Sequence, residues 1–394
     1  MKRILAALFL ILSLTAPALA GLDPEASVEA HAHLFMSKGL TWLFRGDFDG
    51  PLRAKGWNDR FGSQANPETV ERSKIAVLVI AVYAHPLFSL SLRDSIRDQL
   101  DGADHFVATH PNWIIARSAT EARQALSQGK RVIILAIEGA SKILENDADI
   151  AEFINRRGVR IVNLLHFTDD EFGGVAFLRG FRALASPLAW LRQIFRAPGA
   201  DGVILNDEGL TERGKQFAQT LINHGVWLDL AHSSDLSQRD LIPMLEKAGQ
   251  PLLYTHTVLR RYHHAERGIS DWQLQEVRKS HGIVGLMPSE EMLDGTPVPP
   301  TTCRGSVHAL AVQYKEVAAT IGADSIVMGT DYNGGIPHLM PSCKTGTSLD
   351  HEGFWNIGQT PDLWQALRKV GAPVPEPLSI TVERFISAWE QVSK

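Results

Sequence analysis

The chain has 394 residues, 44% of them hydrophobic and 21% charged, and a formal net charge of −5 at pH 7. That is enough apolar material for a sizeable core, and the mildly acidic balance argues against nucleic acid as a partner. Of the two cysteines, Cys303 and Cys343, neither has a spacing that suits a cysteine-based metal site. Paired, they would tie two loops; free cysteines fit the sequence as well.

The first twenty residues read as a leader. Lys2 and Arg3 precede an apolar run from Ile4 to Leu14, and Ala16-Pro17-Ala18-Leu19-Ala20 places small residues at a cleavage site after Ala20. The run is short for a membrane span. The expectation is an exported protein, periplasmic or secreted, whose mature chain (21–394) forms one domain.

Eight apolar segments follow as strands: 28–33, 75–83, 131–138, 159–166, 226–232, 251–256, 282–288 and 325–331. Most are rich in Val, Ile and Leu without alternation, as strands buried on both faces are. Helical periodicity fills the gaps, over Thr120–Gly129, Ala148–Gly158, Glu212–Gly225, Leu236–Gly249, Asp271–Ser280 and Val307–Gly322. Several of these end at Gly, and Asp235 and Ser270 are expected as N-caps. Pro361–Val370 and Ile380–Val392 read as closing helices. Strand and helix alternating through eight units predicts a parallel (β/α)8 barrel, the TIM barrel.

Two stretches interrupt the alternation. Residues 34–74 form a long loop. Within 167–210, an amphipathic insertion at about 176–200 interleaves Phe177, Phe181, Leu184, Leu188, Trp190 and Leu191 with Arg179, Arg182, Arg192 and Arg196, and Pro187 divides it. It suits a lid over the barrel mouth or a homodimer contact better than a membrane surface. The loops 289–304 and 332–353 also belong to the mouth.

The polar residues of the strands gather at their C-terminal ends, where such barrels place active sites. Strand one ends in His31 and His33, two apart and therefore on one face. Glu138 ends RVIILAIE, His166 follows VRIVNLL, His232 follows VWLDLA, His256 lies in PLLYTHT, and Asp331 ends SIVMGTD. The imidazoles of His31, His33, His232 and His256 suit Zn²⁺ and its first-row neighbours, Mn included. Glu138 has two oxygens with which to bridge two ions, and such a pair about 3.5 to 4 Å apart can share a hydroxide and lower its pKa. Asp331 can then move the proton, His166 can hydrogen-bond an oxyanion, and Arg267 can hold a substrate carboxylate in a bidentate fork. An ion pair of Arg267 with Glu266 or Asp271 explains that residue equally well. His85 and most of the remaining histidines read as surface or loop residues, with His263 and His264 nearest to a substrate role.

Taken together, AIEGA around Glu138, NLLHFTDDEFGG around His166, GLTERGKQFAQTLINHGVWLDLAHSSD up to His232, PLLYTHT to RGISD, and SIVMGTDYNGG resemble the membrane (renal-type) dipeptidase family, peptidase family M19, of the metal-dependent amidohydrolases. The resemblance implies a (β/α)8 barrel, two zinc ions and hydrolysis of dipeptides. By position, His31, Glu138, His232 and His256 would be ligands with Glu138 bridging, His166 and Arg267 substrate contacts, and Asp331 the catalytic carboxylate. The chain departs from the family in three places. His33 stands where the family has Asp, which removes one negative charge. GLMPSEEM replaces an Asn-Phe-aromatic run on strand seven. The 176–196 insertion has no counterpart. These departures keep two alternatives open: another amidohydrolase substrate class (peptide natural-product tailoring, N-acyl amino acids or lactones), and a non-catalytic barrel that binds peptide or metal.

Overall fold

Eight parallel strands close into a ring. In chain order the strands are β1 (Ser27–Ala32), β2 (Ile75–Val82), β3 (Trp113–Ile115), β4 (Arg131–Glu138), β5 (Val159–Asn163), β6 (Trp227–Asp229), β7 (Leu253–Thr257), β8 (Ile283–Leu286) and β9 (Ile326–Met328). Hydrogen bonds run from β1 through β2, β4, β5, β6, β7, β8 and β9 back to β1, and β3 adds only a short pairing on the first residues of β4. The fold is a (β/α)8 barrel. The computed structural model describes residues 19, 21–39, 48–52, 62–85, 89–178, 191, 196–199, 202–300, 305–337, 339 and 353–392. Most of the leader, most of the amphipathic insertion, Cys303 and Cys343 lie outside the described residues. No described helix is long and apolar enough to cross a membrane.

The strand register accounts for two separate cores. Residues paired across parallel strands point to the same face. Val28, Val77, Val132, Ile161, Trp227, Leu253, Ile283 and Val327 therefore share the barrel interior, in one apolar cluster with Phe385 and Trp389. Those two aromatics belong to the last helix (Ile380–Val392), which plugs the end of the barrel away from the strand C-termini, with the Phe385 ring 5.4 Å from that of Trp227. Arg123 ties this helix to Ala119–Ser127 through Glu383 and Glu390. The opposite strand faces, such as Leu78, Ile80, Ile133, Leu135 and Val162, pack outward against the helices.

The expected strands are all present, β4 with the expected bounds, β1 shifted by one residue and the others shorter. Leu164 and Leu165 after β5, and Leu230 and Ala231 after β6, are buried but lie outside the strands. Their apolar character continues the strand pattern after the hydrogen-bonded ladder has ended. The helix starting at Asp235 is capped by Ser234, whose hydroxyl accepts from Ser237 N, and not by Asp235. Ser270 does cap the next helix, in a capping box with Gln273. The expected helix over 148–158 is a π-helical segment, Ile150–Arg156. An 18-residue helix, Leu92–Thr109, lies where no helix was expected.

Two glycines let the barrel close beneath its site. A Cβ on Gly285 or on Gly329 would sit 1.9 Å from the Thr255 carbonyl oxygen, and one on Gly329 would also meet the Cα of His256 at 2.9 Å. Both obstacles are close to rigid backbone. Gly329→Ala is expected to cost about 1 to 3 kcal/mol, the usual price of overpacking. Urea unfolding checks this; an unchanged midpoint would show that the strands can spread at no cost.

Candidate metal centre

β4 ends on Glu138, and its carboxylate becomes the hub of the barrel mouth. Its Oε1 lies 3.3 Å from His31 Nε2, 3.1 Å from His232 Nε2 and 3.4 Å from His256 Nε2. Its Oε2 lies 3.2 Å from His33 Nε2 and 3.4 Å from His166 Nε2. His33 Nε2 also reaches Asp331 Oδ1 at 3.2 Å. Four strand ends (β1, β5, β6 and β7) thus turn five imidazole nitrogens toward one carboxylate. His31, Glu138 and His256 form one compact donor group; His31, His33 and Asp331 form a second; Glu138, His166 and His232 form a third.

The local backbone aims these side chains. His232 (φ 70°), Asp331 (φ 56°) and Phe167 (φ 57°) adopt the left-handed conformation that non-glycine residues usually avoid. Such outliers collect at functional sites, where the surrounding fold holds them in place. Asp331 N donates to His31 O at 2.8 Å, so β1 and the end of β9 set each other's position. A Cβ on Gly334 would sit 1.9 Å from Asp331 Oδ1, and the missing side chain leaves that carboxylate its space.

The charges suit a cation. Burial would raise Glu138, but the surrounding imidazoles, His166 and His31 first, hold it well below the usual carboxylate range. Burial takes His166 down to about 3 and His232 and His256 well below the ordinary imidazole value. These rings are neutral at pH 7, with lone pairs available. Burial also pulls on His33, but hydrogen bonds to Asp331 and Glu138 push it up to about 10. A proton is held there by the same negative field that would draw in a metal.

The donor set passes a geometric test as well. His232 Nε2 and His256 Nε2 are 2.9 Å apart, and His31 Nε2 and His33 Nε2 are 3.2 Å apart. Neutral imidazoles face each other so closely only with a proton or a cation between them. The edge of a tetrahedron around zinc, with bonds of about 2.0 to 2.1 Å, is about 3.3 to 3.4 Å; the His31, His166 and His256 distances to Glu138 match it, and the remaining donor separations are somewhat shorter.

Arg267 points inward. It is 4% exposed, its Nη2 donates to His256 O at 3.0 Å, and it stands 3.2 Å from His232 Nε2. The ion pairs weighed for it go elsewhere. Asp271 pairs with Arg261, and the Glu266 carboxylate accepts from the backbone N–H of Phe177, Asn206 and Asp235. His264 is exposed, and neither it nor the buried His263 joins a donor group.

Two residues at the mouth carried no functional expectation. Tyr83, just past β2, sets its ring edge-on to His166 at 4.5 Å, and burial with the Glu138 charge raises its phenol well above the ordinary value. His85 is 6% exposed, not a surface residue, with its ring 6.5 Å from Phe167. The available signal was their spacing: two polar rings, two apart, directly after an apolar strand, as at His31 and His33.

A barrel whose strand ends converge on a carboxylate ringed by imidazoles has the architecture of a metal-dependent hydrolase. The description "membrane dipeptidase (peptidase family M19)" matches residues 36–342. The chain belongs to that family. Among curated proteins it is 24% identical to the dipeptidase ataJ of Aspergillus terreus over 244 residues, 62% of this chain and 56% of that one. The chain spans about half the length of the curated relatives it matches. Among solved structures, a Rhodobacter sphaeroides metallopeptidase liganded with a phosphinate mimic of the dipeptide L-Ala-D-Ala superposes with a TM-score of 0.68 at 19% identity, covering 94% of this chain and 100% of that one. The probable dipeptidase PvdM of Pseudomonas aeruginosa gives 0.67 at 15% identity, covering 93% and 95%.

The position of Tyr83 generates a prediction. Tyr83→Phe keeps the ring against His166 and removes only the hydroxyl. If that hydroxyl faces the reacting group, kcat/KM drops by about tenfold or more while bound metal is unchanged. Unaltered kinetics would reduce Tyr83 to packing.

Proposed function

We propose that this protein is an exported dipeptidase that hydrolyses the amide bond of dipeptides with a free C-terminal carboxylate. The observation that carries the reading is the convergence of His31, His33, His166, His232 and His256 on the buried Glu138 carboxylate, beside Asp331. His31, His33, Glu138, His232 and His256 would hold two divalent ions, zinc or manganese, with Glu138 between them. Bound there, the metal supplies Lewis acidity and lowers the pKa of water, so that a nucleophile exists at neutral pH.

The chain's own residues do the rest. Asp331 takes the proton of the attacking water and returns it to the departing amine. His166, kept neutral by burial, offers a ring N–H to the oxygen that gains charge as the carbonyl becomes tetrahedral. Arg267 receives the substrate carboxylate, and its guanidinium is held in place by the backbone carbonyl of His256. The buried mouth excludes water, which strengthens each of these contacts. The dipeptide mimic bound to the Rhodobacter sphaeroides relative supports the choice of substrate class.

The test is hydrolysis. Protein loaded with zinc or manganese should release amino acids from a dipeptide panel, faster than it cleaves N-acyl amino acids or lactones. Glu138→Gln and Asp331→Asn should each lower kcat/KM by about 10² or more. Arg267→Met should raise KM for dipeptides and erase the preference over their C-terminal amides. Full activity in the Glu138 and Asp331 variants would end the proposal.

Export rests on the leader at residues 1–20. N-terminal sequencing of protein recovered outside the cytoplasm should begin at Gly21, and a retained Met1 would contradict cleavage after Ala20.

A further inference from the structure

The Thr255 hydroxyl lies behind the donor ring and has three partners at once. It makes a short hydrogen bond to Asp229 Oδ2, and it lies 3.0 Å from His31 Nδ1 and 2.9 Å from His256 Nδ1. A hydroxyl has one proton and two lone pairs, so the proton can go to only one of the three.

Asp229 decides which. Its Oδ1 accepts from Thr255 N and Ala231 N, each at 3.0 Å, and its Oδ2 accepts from Asn163 Nδ2 at 2.7 Å. All three of these partners can only donate, so both carboxyl oxygens act toward them as acceptors. The Thr255 proton is therefore committed to Asp229 Oδ2. Its two lone pairs remain, and each faces an imidazole Nδ1. Both rings must then carry hydrogen on Nδ1 and a bare lone pair on Nε2. Those two Nε2 atoms are the ones 3.3 and 3.4 Å from Glu138 Oε1.

His33 and His166 differ. Each has its Nδ1 buried with no hydrogen-bond partner among the described residues. The arrangement therefore selects His31 and His256, which come from strands far apart in the chain (β1 and β7) and share one donor group with Glu138.

We propose that Thr255, anchored by Asp229, is a positioning residue that fixes the tautomer and aim of both His31 and His256, and so sets the divalent-metal affinity of the His31–Glu138–His256 donor group. A partner on the far nitrogen of a ligating imidazole fixes ring orientation and basicity, and its loss typically costs 10- to 100-fold in metal affinity. Here a single hydroxyl serves two ligands. The inference rests on the metal-site reading above, and its test separates the two.

Zinc affinity is measured by competition with a chromophoric chelator for the wild-type protein, Thr255→Val and Thr255→Ser. Valine keeps the shape and removes the hydroxyl; serine restores the hydroxyl. The expected result is a 10- to 100-fold weaker site in the valine variant and recovery to within a few-fold in the serine variant, a pattern that general loosening of the core would not give. Equal affinity in wild type and Thr255→Val overturns the positioning role and leaves the metal site standing. A wild-type protein that takes up no zinc overturns both. Should the valine variant not fold, imidazole ¹⁵N spectra of the metal-free wild-type protein decide the matter: hydrogen on Nδ1 of both His31 and His256 supports the inference, and hydrogen on Nε2 of either one contradicts it.

Discussion

A carboxylate cannot sit alone in a protein interior. Removing an ion from water costs several kcal/mol even after relaxation, and the cost is recovered only by opposite charge and well-aimed hydrogen bonds. Glu138, 3% exposed, meets that condition by collecting five imidazoles from four strand ends. The imidazoles in turn face one another at 2.9 and 3.2 Å, with either a hydrogen bond or a shared cation between them. Carboxylate and histidines are therefore mutually dependent, and a divalent cation satisfies both.

The barrel makes this meeting possible. Side chains more than 200 residues apart in the chain reach one point because parallel strands deliver their C-terminal ends to the same rim. Closure is tight where it must be. Gly285 and Gly329 let neighbouring strands approach the Thr255 carbonyl, and left-handed backbone at His232 and Asp331 turns their side chains inward. The other end of the barrel is sealed by Phe385 and Trp389 on the last helix.

The strands were legible because a strand buried on both faces has nowhere to put a polar residue. β2 and β4 read as near-continuous Val, Ile, Leu and Ala and were placed within a residue of their ends. The same logic exposed His31, His166, His232, His256, Glu138 and Asp331, polar residues where apolar runs stop. What failed to show was everything that depends on partners distant in sequence. Asp229 and Thr255 interrupt apolar strands just as Glu138 does, but Asp229 accepts from Thr255, and it is the Thr255 hydroxyl that meets His31 and His256. Tyr83 and His85 gain meaning only beside His166 and Phe167. A π-helical segment such as Ile150–Arg156 differs from an α-helix in one hydrogen-bond step, which residue periodicity does not resolve.

His33, an imidazole with no negative charge of its own, contacts both Glu138 and Asp331 at 3.2 Å. Diffraction data collected on either side of the zinc absorption edge, from crystals grown with zinc, test the account most directly. It predicts anomalous density within bonding distance of Glu138 and of the Nε2 atoms of His31, His33, His232 and His256. Anomalous density confined to other parts of the surface, with Glu138 hydrogen-bonded only to protonated histidines, would contradict it.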